Sequence, residues 1–250
     1  MNATMSASHT YRASHYLSRQ LILTRDDCPF GSEIRIQFDD GQAHASFVAP
    51  MQQMNGIYSE VLMQTRLIAF SLKDHNISNE NKYLSRLFVC VGQADLADSA
   101  LTEELIQSSD ALRDFGQTLV IAFNELPLSA VSFIDKKKTL NNVYLLKDHG
   151  VEIAFDGNNI DEQSIEIFTT LNLFDYIKIP LSALDLSLNL TGNPDLFNRL
   201  HERMTMLTHT TKVAFIADRV EHAASHILAR ALPFDYFQGS HYSPADSLLN

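Results

Sequence analysis

Val151-Glu152-Ile153-Ala154-Phe155-Asp156 is an apolar run that closes on a single carboxylate, and three later stretches repeat the phrase. They are Tyr176-Ile177-Lys178-Ile179, Val213-Ala214-Phe215-Ile216-Ala217-Asp218 and Phe234-Asp235-Tyr236-Phe237-Gln238. Each is short, apolar and bounded by turn formers, so each predicts a buried β-strand. Stretches of helical periodicity lie between them, and strands alternating with helices predict a mainly parallel sheet. In a closed (β/α) barrel the residues that end such strands gather at one rim, the face that carries the chemistry of barrel enzymes. Asp156, Lys178, Asp218 and Gln238 are the residues this pattern brings there.

The same alternation extends upstream. Strands are predicted over 87–91 and 119–123, an amphipathic helix over 102–115, and a helix over 136–149 that Gly150 can end. Downstream, helices are predicted near 161–171, over 194–207 with Asn193 as cap and Pro194 in the first turn, and over 220–232. In 57–72, Ile57, Val61, Leu62 and Leu67 suit a helix while 57–63 also suits a buried strand; the expectation is a strand followed by a helix. Residues 1–45 read differently: a small, polar start, then Leu21-Ile22-Leu23, then alternating polarity through Ile34, Ile36 and Phe38 to an Asp39-Asp40-Gly41 turn. They predict a loose leader and a short hairpin-like element. The expected organisation is therefore an N-terminal appendage over 1–45 and one α/β barrel domain over 46–250, a length that suits a single barrel.

Composition narrows the function classes. A hydrophobic content of 45% with 20% charged residues is that of a globular chain with a sizeable core. The net charge of -11 repels phosphate backbones and excludes the electrostatic footprint of a nucleic-acid binder, so any transcriptional role runs through another protein. The two cysteines, Cys28 and Cys90, fit a reducing cytoplasm, and Cys90 lies in an apolar run where a thiol behaves as a small hydrophobe. No stretch approaches the length of an apolar membrane span, and residues 1–14 hold no signal core. His222 and His226 stand four apart on a predicted helix but lack the glutamate of a His-Glu-x-x-His zinc motif. Lys136-Lys137-Lys138 reads as a solvated face.

Several separated phrases then acquire a common meaning. Phe47-Val48-Ala49-Pro50, Gly56, Ser59-Glu60-Val61-Leu62, the stretch 145–156, Phe174-Asp175-Tyr176-Ile177-Lys178-Ile179, Ile216-Ala217-Asp218-Arg219-Val220-Glu221 and Phe234-Asp235-Tyr236-Phe237-Gln238-Gly239 follow one another in order. In that order the chain resembles the EAL family, the bacterial cyclic-di-GMP phosphodiesterase domains, over about 46–250. The resemblance implies a TIM-type barrel whose rim holds two divalent metals that polarise the phosphodiester and generate hydroxide. Such hard cations need several oxygen ligands, mostly carboxylates.

On this resemblance Glu60 stands for the signature glutamate, Asp156 for the first of the paired aspartates, Lys178 for the catalytic lysine and Asp218 for a longer strand-end glutamate, with Glu221 and Gln238 retained. Other positions depart. Cys90 falls where the family has an asparagine ligand, Ala122 where it has a glutamate, Gly157 at the second aspartate, Pro180 at the aspartate after the lysine, and Gln64 at the phosphate-gripping arginine. A soft thiol is a poor ligand for magnesium or manganese. The resemblance with these departures implies no catalytic residue, no metal and no cofactor, and it leaves Lys178 to form a structural ion pair with Asp156 or Glu60.

Ile121-Ala122-Phe123-Asn124-Glu125 resembles the corresponding strand of the YdiV-like anti-FlhDC factors, a subgroup that carries Ala where the enzymes carry Glu. This implies a non-catalytic cytoplasmic protein that binds the FlhD subunit of the flagellar master activator FlhDC and represses motility. The alternatives are a weak metal-dependent cyclic-di-GMP phosphodiesterase and a cyclic-di-GMP sensor without hydrolysis.

Overall fold

Side chains alternate between the two faces of a strand, and in a closed barrel those faces are the lumen and the helix layer. The computed structural model describes residues 15–38, 51–74, 85–123, 133–157, 170–181 and 194–248. Its strands are β1 (His15–Thr24), β2 (Pro29–Phe38), β3 (Arg86–Cys90), β4 (Thr118–Phe123), β5 (Glu152–Asp156), β6 (Tyr176–Pro180), β7 (Ala214–Asp218), β8 (Tyr236–Gln238) and β9 (Asp246–Ser247). Its helices are α1 (Met51–Asp74), α2 (Ser99–Arg113), α3 (Phe133–Asp148), α4 (Pro194–Thr211) and α5 (Ala223–Ala231). β2 through β8 run side by side in chain order, each parallel to the next, and β1 joins β8 to β2 and closes the ring. The barrel thus has eight strands, seven parallel and one, β1, antiparallel to both neighbours. Short β9 pairs with β1 outside the ring.

The ring corrects the expected boundary at residue 45. The hairpin-like element is no appendage: it supplies β1 and β2, and without them the barrel has an open edge between β8 and β3. An open parallel sheet would leave two rows of backbone donors and acceptors unpaired, which is the physical reason for recruiting the hairpin. Its turn is held down by Arg230, which bonds Asp27 Oδ1 at 2.5 Å and lies over the Phe237 ring at 4.6 Å.

A second correction concerns 57–63, which is helix, not strand. Ile57, Tyr58, Val61, Leu62, Thr65, Ile68 and Ala69 are buried at helical spacing on the inner face of α1. Met63, Leu67 and Phe70 are apolar residues that α1 turns outward. The other helices and strands fall within a few residues of their expected places. Gly150, at φ 78°, ends α3 in the left-handed conformation that only glycine adopts cheaply. The expected helix near 161–171, the Asp39-Asp40-Gly41 turn and Phe47-Val48-Ala49-Pro50 lie wholly or largely outside the described residues.

Two cores result. Leu87, Val89, Leu119, Ile121, Ile153, Ile177, Phe215 and Phe237 point outward to meet Val61, Leu105, Val143 and Leu207 of the helices. Ile22, Phe88, Val120, Ala122, Ala154, Tyr176 and Ile216 fill the middle of the lumen. Below them Arg86 holds Glu152 through two hydrogen bonds, of 2.9 and 3.1 Å, and Tyr176 donates to the same carboxylate at 2.6 Å. Phe30 stacks on Tyr236 with ring centroids 3.7 Å apart, and Arg86 lies over Phe30 at 5.0 Å. This layer plugs the N-terminal end of the lumen, so polar side chains above the apolar layer have one way out, the C-terminal rim.

Candidate functional site

Lumen-facing parity carries Cys90 to the top of β3, Ala122 of β4, Asp156 of β5, Lys178 of β6, Asp218 of β7 and Gln238 of β8. In register, Cys90 pairs with Ala122, Asp156 with Lys178, Pro180 with Asp218 and Ile22 of β1 with Gln238. The glutamate at its centre is Glu33 of β2, not Glu60. Glu60 lies in the middle of α1, in the helix layer, and Gln64 lies one turn beyond it. Glu33-Ile34-Arg35, and not Glu60-Val61-Leu62, is the stretch that brings a glutamate to Lys178.

Glu33 has no solvent exposure, and neither has Lys178. Lys178 Nζ donates to Glu33 Oε1 at 2.5 Å, while Arg35 Nε at 2.5 Å and Gln238 Nε2 at 2.8 Å donate to Oε2. The Cys90 thiol lies 3.5 Å from Oε1. Arg35 also reaches across the lumen, where its Nη2 donates to Asp218 Oδ1 at 2.9 Å. Arg219 Nε stands 3.8 Å from the other Asp218 oxygen. The structural ion pair expected of Lys178 thus forms with Glu33. Its nearness to Asp156 is through their paired strand ends.

The electrostatics follow from this crowding. Burial works against the charge on Glu33, but Arg35 and Lys178 outweigh it and hold the carboxyl well below the usual carboxylate range. Burial likewise opposes the charge on Lys178, and Glu33, Asp218 and Asp156 overcome it and raise the ammonium above its ordinary value. Cys90 is pushed up by burial and then by Glu33, so it is a thiol and not a thiolate. Burial also raises Asp156, against the pull of Lys178.

Glu33, Cys90 and Asp156 bring one potential ligand atom each to within 4.8 Å of one another. Around them Ala122, Gly157 and Pro180 carry no side-chain donor. At Gly157 the space is also taken: a Cβ there would collide with Cε1 of Phe155, whose buried ring packs against Phe174. The acceptors at the rim that Arg35, Lys178 and Arg219 do not engage are Asp156 and Gln238 Oε1, a buried oxygen without a hydrogen-bond partner among the described residues.

Other expected positions are more ordinary. Glu221 is exposed just ahead of α5, where its charge suits the helix N-terminus. His222 caps that helix with its backbone, and His226 Nδ1 lies 2.8 Å from the Tyr242 hydroxyl, so the pair is not drawn together. Glu125 lies outside the described residues. Glu33 and Arg35 were overlooked, although alternation with Ile34 and Ile36 already put these opposite charges on one face of a strand.

Three comparisons bear on ancestry. Residues 24–245 match the family model described as EAL domain. No curated protein matches. Among solved structures, the cAMP- and cyclic-di-GMP-bound EAL enzyme Bd1971 is 14% identical with a TM-score of 0.66, over 93% of this chain and 62% of that one. The chain therefore spans less than two thirds of that relative. The PaMucR phosphodiesterase in complex with c-di-GMP is 16% identical with a TM-score of 0.66, over 94% and 92%. The Bacillus subtilis YkuI protein, with an EAL domain and in complex with substrate c-di-GMP and calcium, is 16% identical with a TM-score of 0.67, over 94% and 57%. At such identities the likeness is one of fold, and it covers more than nine tenths of this chain. With the family model matched over nearly the whole chain, this protein belongs to the EAL domain family.

Proposed function

We propose that this protein is a non-catalytic EAL-domain regulator that acts by binding a protein partner. The observation that carries the reading is the saturation of Glu33: a fully buried carboxylate already receives Lys178, Arg35 and Gln238. A two-metal phosphodiesterase needs many free oxygen ligands, whereas Asp218 here is also engaged by Arg35 and three neighbouring positions are Ala122, Gly157 and Pro180. The donor set does not fit a pair of hard cations. No hydrolytic step is therefore assigned to these residues.

The partner we put forward is the FlhD subunit of FlhDC, with repression of flagellar genes and motility as the result. Support comes from the likeness of the strand around Ala122 to the YdiV-like factors, and from charge. At -11 the protein repels DNA, so a complex with a DNA-binding activator would weaken that activator's hold on its operator. The test is co-purification with FlhD together with a gel shift of FlhDC on DNA. Capture of FlhD and loss of the shifted band are expected; no interaction at micromolar concentrations would refute the partner.

A second reading, cyclic-di-GMP binding without hydrolysis, draws on the solved relatives that are complexes of that dinucleotide. Calorimetry with cyclic-di-GMP separates it from the first. Manganese-dependent hydrolysis that disappears in Glu33→Ala would overturn both.

A further inference from the structure

We propose that Arg35 is a built-in counter-cation, a guanidinium that holds together carboxylates from two sides of the barrel and thereby keeps dissolved ions out of the rim. The inference rests on the non-catalytic reading above and goes further, because it names the residue that makes the rim independent of metal. Arg35 stands two residues after Glu33 on the same strand and binds it at 2.5 Å. With its other arm it binds Asp218, on β7, at 2.9 Å. In the ring β8 and β1 lie between β7 and β2, so the guanidinium bridges strands that no backbone hydrogen bond joins.

Charge makes the bridge necessary. Among the described residues, Glu33, Asp156 and Asp218 bring three carboxylates to the upper lumen against Arg35 and Lys178, with the half-exposed Arg219 3.8 Å from Asp218, and Glu33 and Asp218 are almost wholly buried. Without Arg35, Lys178 is the one buried cation left among the described residues, with Arg219 reaching Asp218 from the exposed side, against three carboxylates in a place where unpaired charge is strongly disfavoured. Removing Arg35 would leave Glu33 Oε2 with Gln238 alone, on a carboxylate that already lies within 4.8 Å of Asp156, and would release Asp218 Oδ1. A cluster of carboxylate oxygens is the donor type that manganese takes readily. A dissolved ion must compete with a group tethered two residues from its ligand, and that tether gives Arg35 a high effective concentration.

The experiment compares the full chain with Arg35→Leu, Arg35→Lys and the double variant Arg35→Leu/Glu33→Gln. Melting is followed in chelator and in millimolar manganese chloride, and bound manganese is measured directly by the loss of the free-ion signal in electron paramagnetic resonance. The wild type and Arg35→Lys are expected to melt alike with and without manganese. Arg35→Leu should melt lower in chelator, take up manganese and regain roughly 5 °C when the ion is in large excess over its dissociation constant. Uptake should vanish in the double variant. Manganese uptake by the wild type equal to that of Arg35→Leu overturns the proposal, and so does an Arg35→Leu protein that is neither destabilised nor metal-responsive. If Arg35→Leu does not fold, Arg35→Gln takes its place under the same readouts. Metal uptake by the wild type without hydrolysis of cyclic-di-GMP sinks this inference alone, whereas hydrolysis sinks the non-catalytic reading.

Discussion

Replacing Glu33 by glutamine removes the charge on which the upper lumen turns while it keeps the side chain's shape. Lys178 Nζ, 2.5 Å from Glu33 Oε1 and without solvent exposure, then keeps a positive charge in the lumen with only Asp156 and the Arg35-bound Asp218 near it. Arg35 loses one of its two carboxylates. Breaking a buried ion pair from one side costs about 3–5 kcal/mol. For a chain of this length that corresponds to a fall in melting temperature of roughly 6–20 °C. Lys178→Met alone leaves Glu33 with Arg35 and Gln238 and should cost less. Removing both charges should cost less than the sum of the single changes, with a coupling of about 2 kcal/mol in a double-mutant cycle. Urea unfolding followed by circular dichroism measures all three variants, with Glu60→Gln as the control for the site first read from sequence. That control should cost less than Glu33→Gln, because Glu60 is half-buried in the helix layer and lies outside the lumen. A Glu33→Gln protein within 1 kcal/mol of wild type, about a fivefold change in the unfolding constant, would refute the central ion pair.

Other expectations follow from the same rim. Glu33 has its pKa depressed by Arg35 and Lys178 against the opposing effect of burial, so its contribution is complete above the unfolded carboxylate value of about 4.3 and fades as pH falls below it. The urea midpoint of the wild type should therefore drop more steeply between about pH 5 and 3 than that of Glu33→Gln. Gly157→Asp, which restores the family's second aspartate, should destabilise by about 1–3 kcal/mol because its Cβ meets the Phe155 ring. Adding Phe155→Ala should cost less than the two changes separately if that clash is the cause. Arg219 holds φ 54°, in the left-handed region that favours glycine, so Arg219→Gly should gain up to about 1 kcal/mol and Arg219→Val should lose at least as much. A loss of stability in Arg219→Gly would mean that its contact with Asp218 outweighs the backbone strain.

The parallel strands were legible because a strand buried on both faces is an unbroken apolar run, and 152–156, 176–180 and 214–218 announce themselves in that way. Their polar residues were legible too, since Asp156 and Asp218 close two of those runs and Lys178 interrupts the third. What misled was the N-terminal third. The phrase Ser59-Glu60-Val61-Leu62 has local similarity to a signature, but its residues follow a helical repeat, and Ile57 to Ala69 bury one face of α1. Glu33 and Arg35 have the alternation of a strand, yet nothing local says that this strand enters the barrel.

Sequence by itself determined which residues alternate, which runs are apolar and which positions lack an oxygen donor, because these are properties of neighbours along the chain. Only tertiary structure decided that β1 and β2 close the ring, and that Glu33 meets Lys178 across 145 positions and Gln238 across 205. Closure is what matters physically. A barrel leaves no edge only if some strand pairs β8 with β3's other neighbour, and the strand that enters carries its own charges into the lumen. Once Glu33 is inside, the charge it brings has to be matched at the rim, and Arg35 and Lys178 match it.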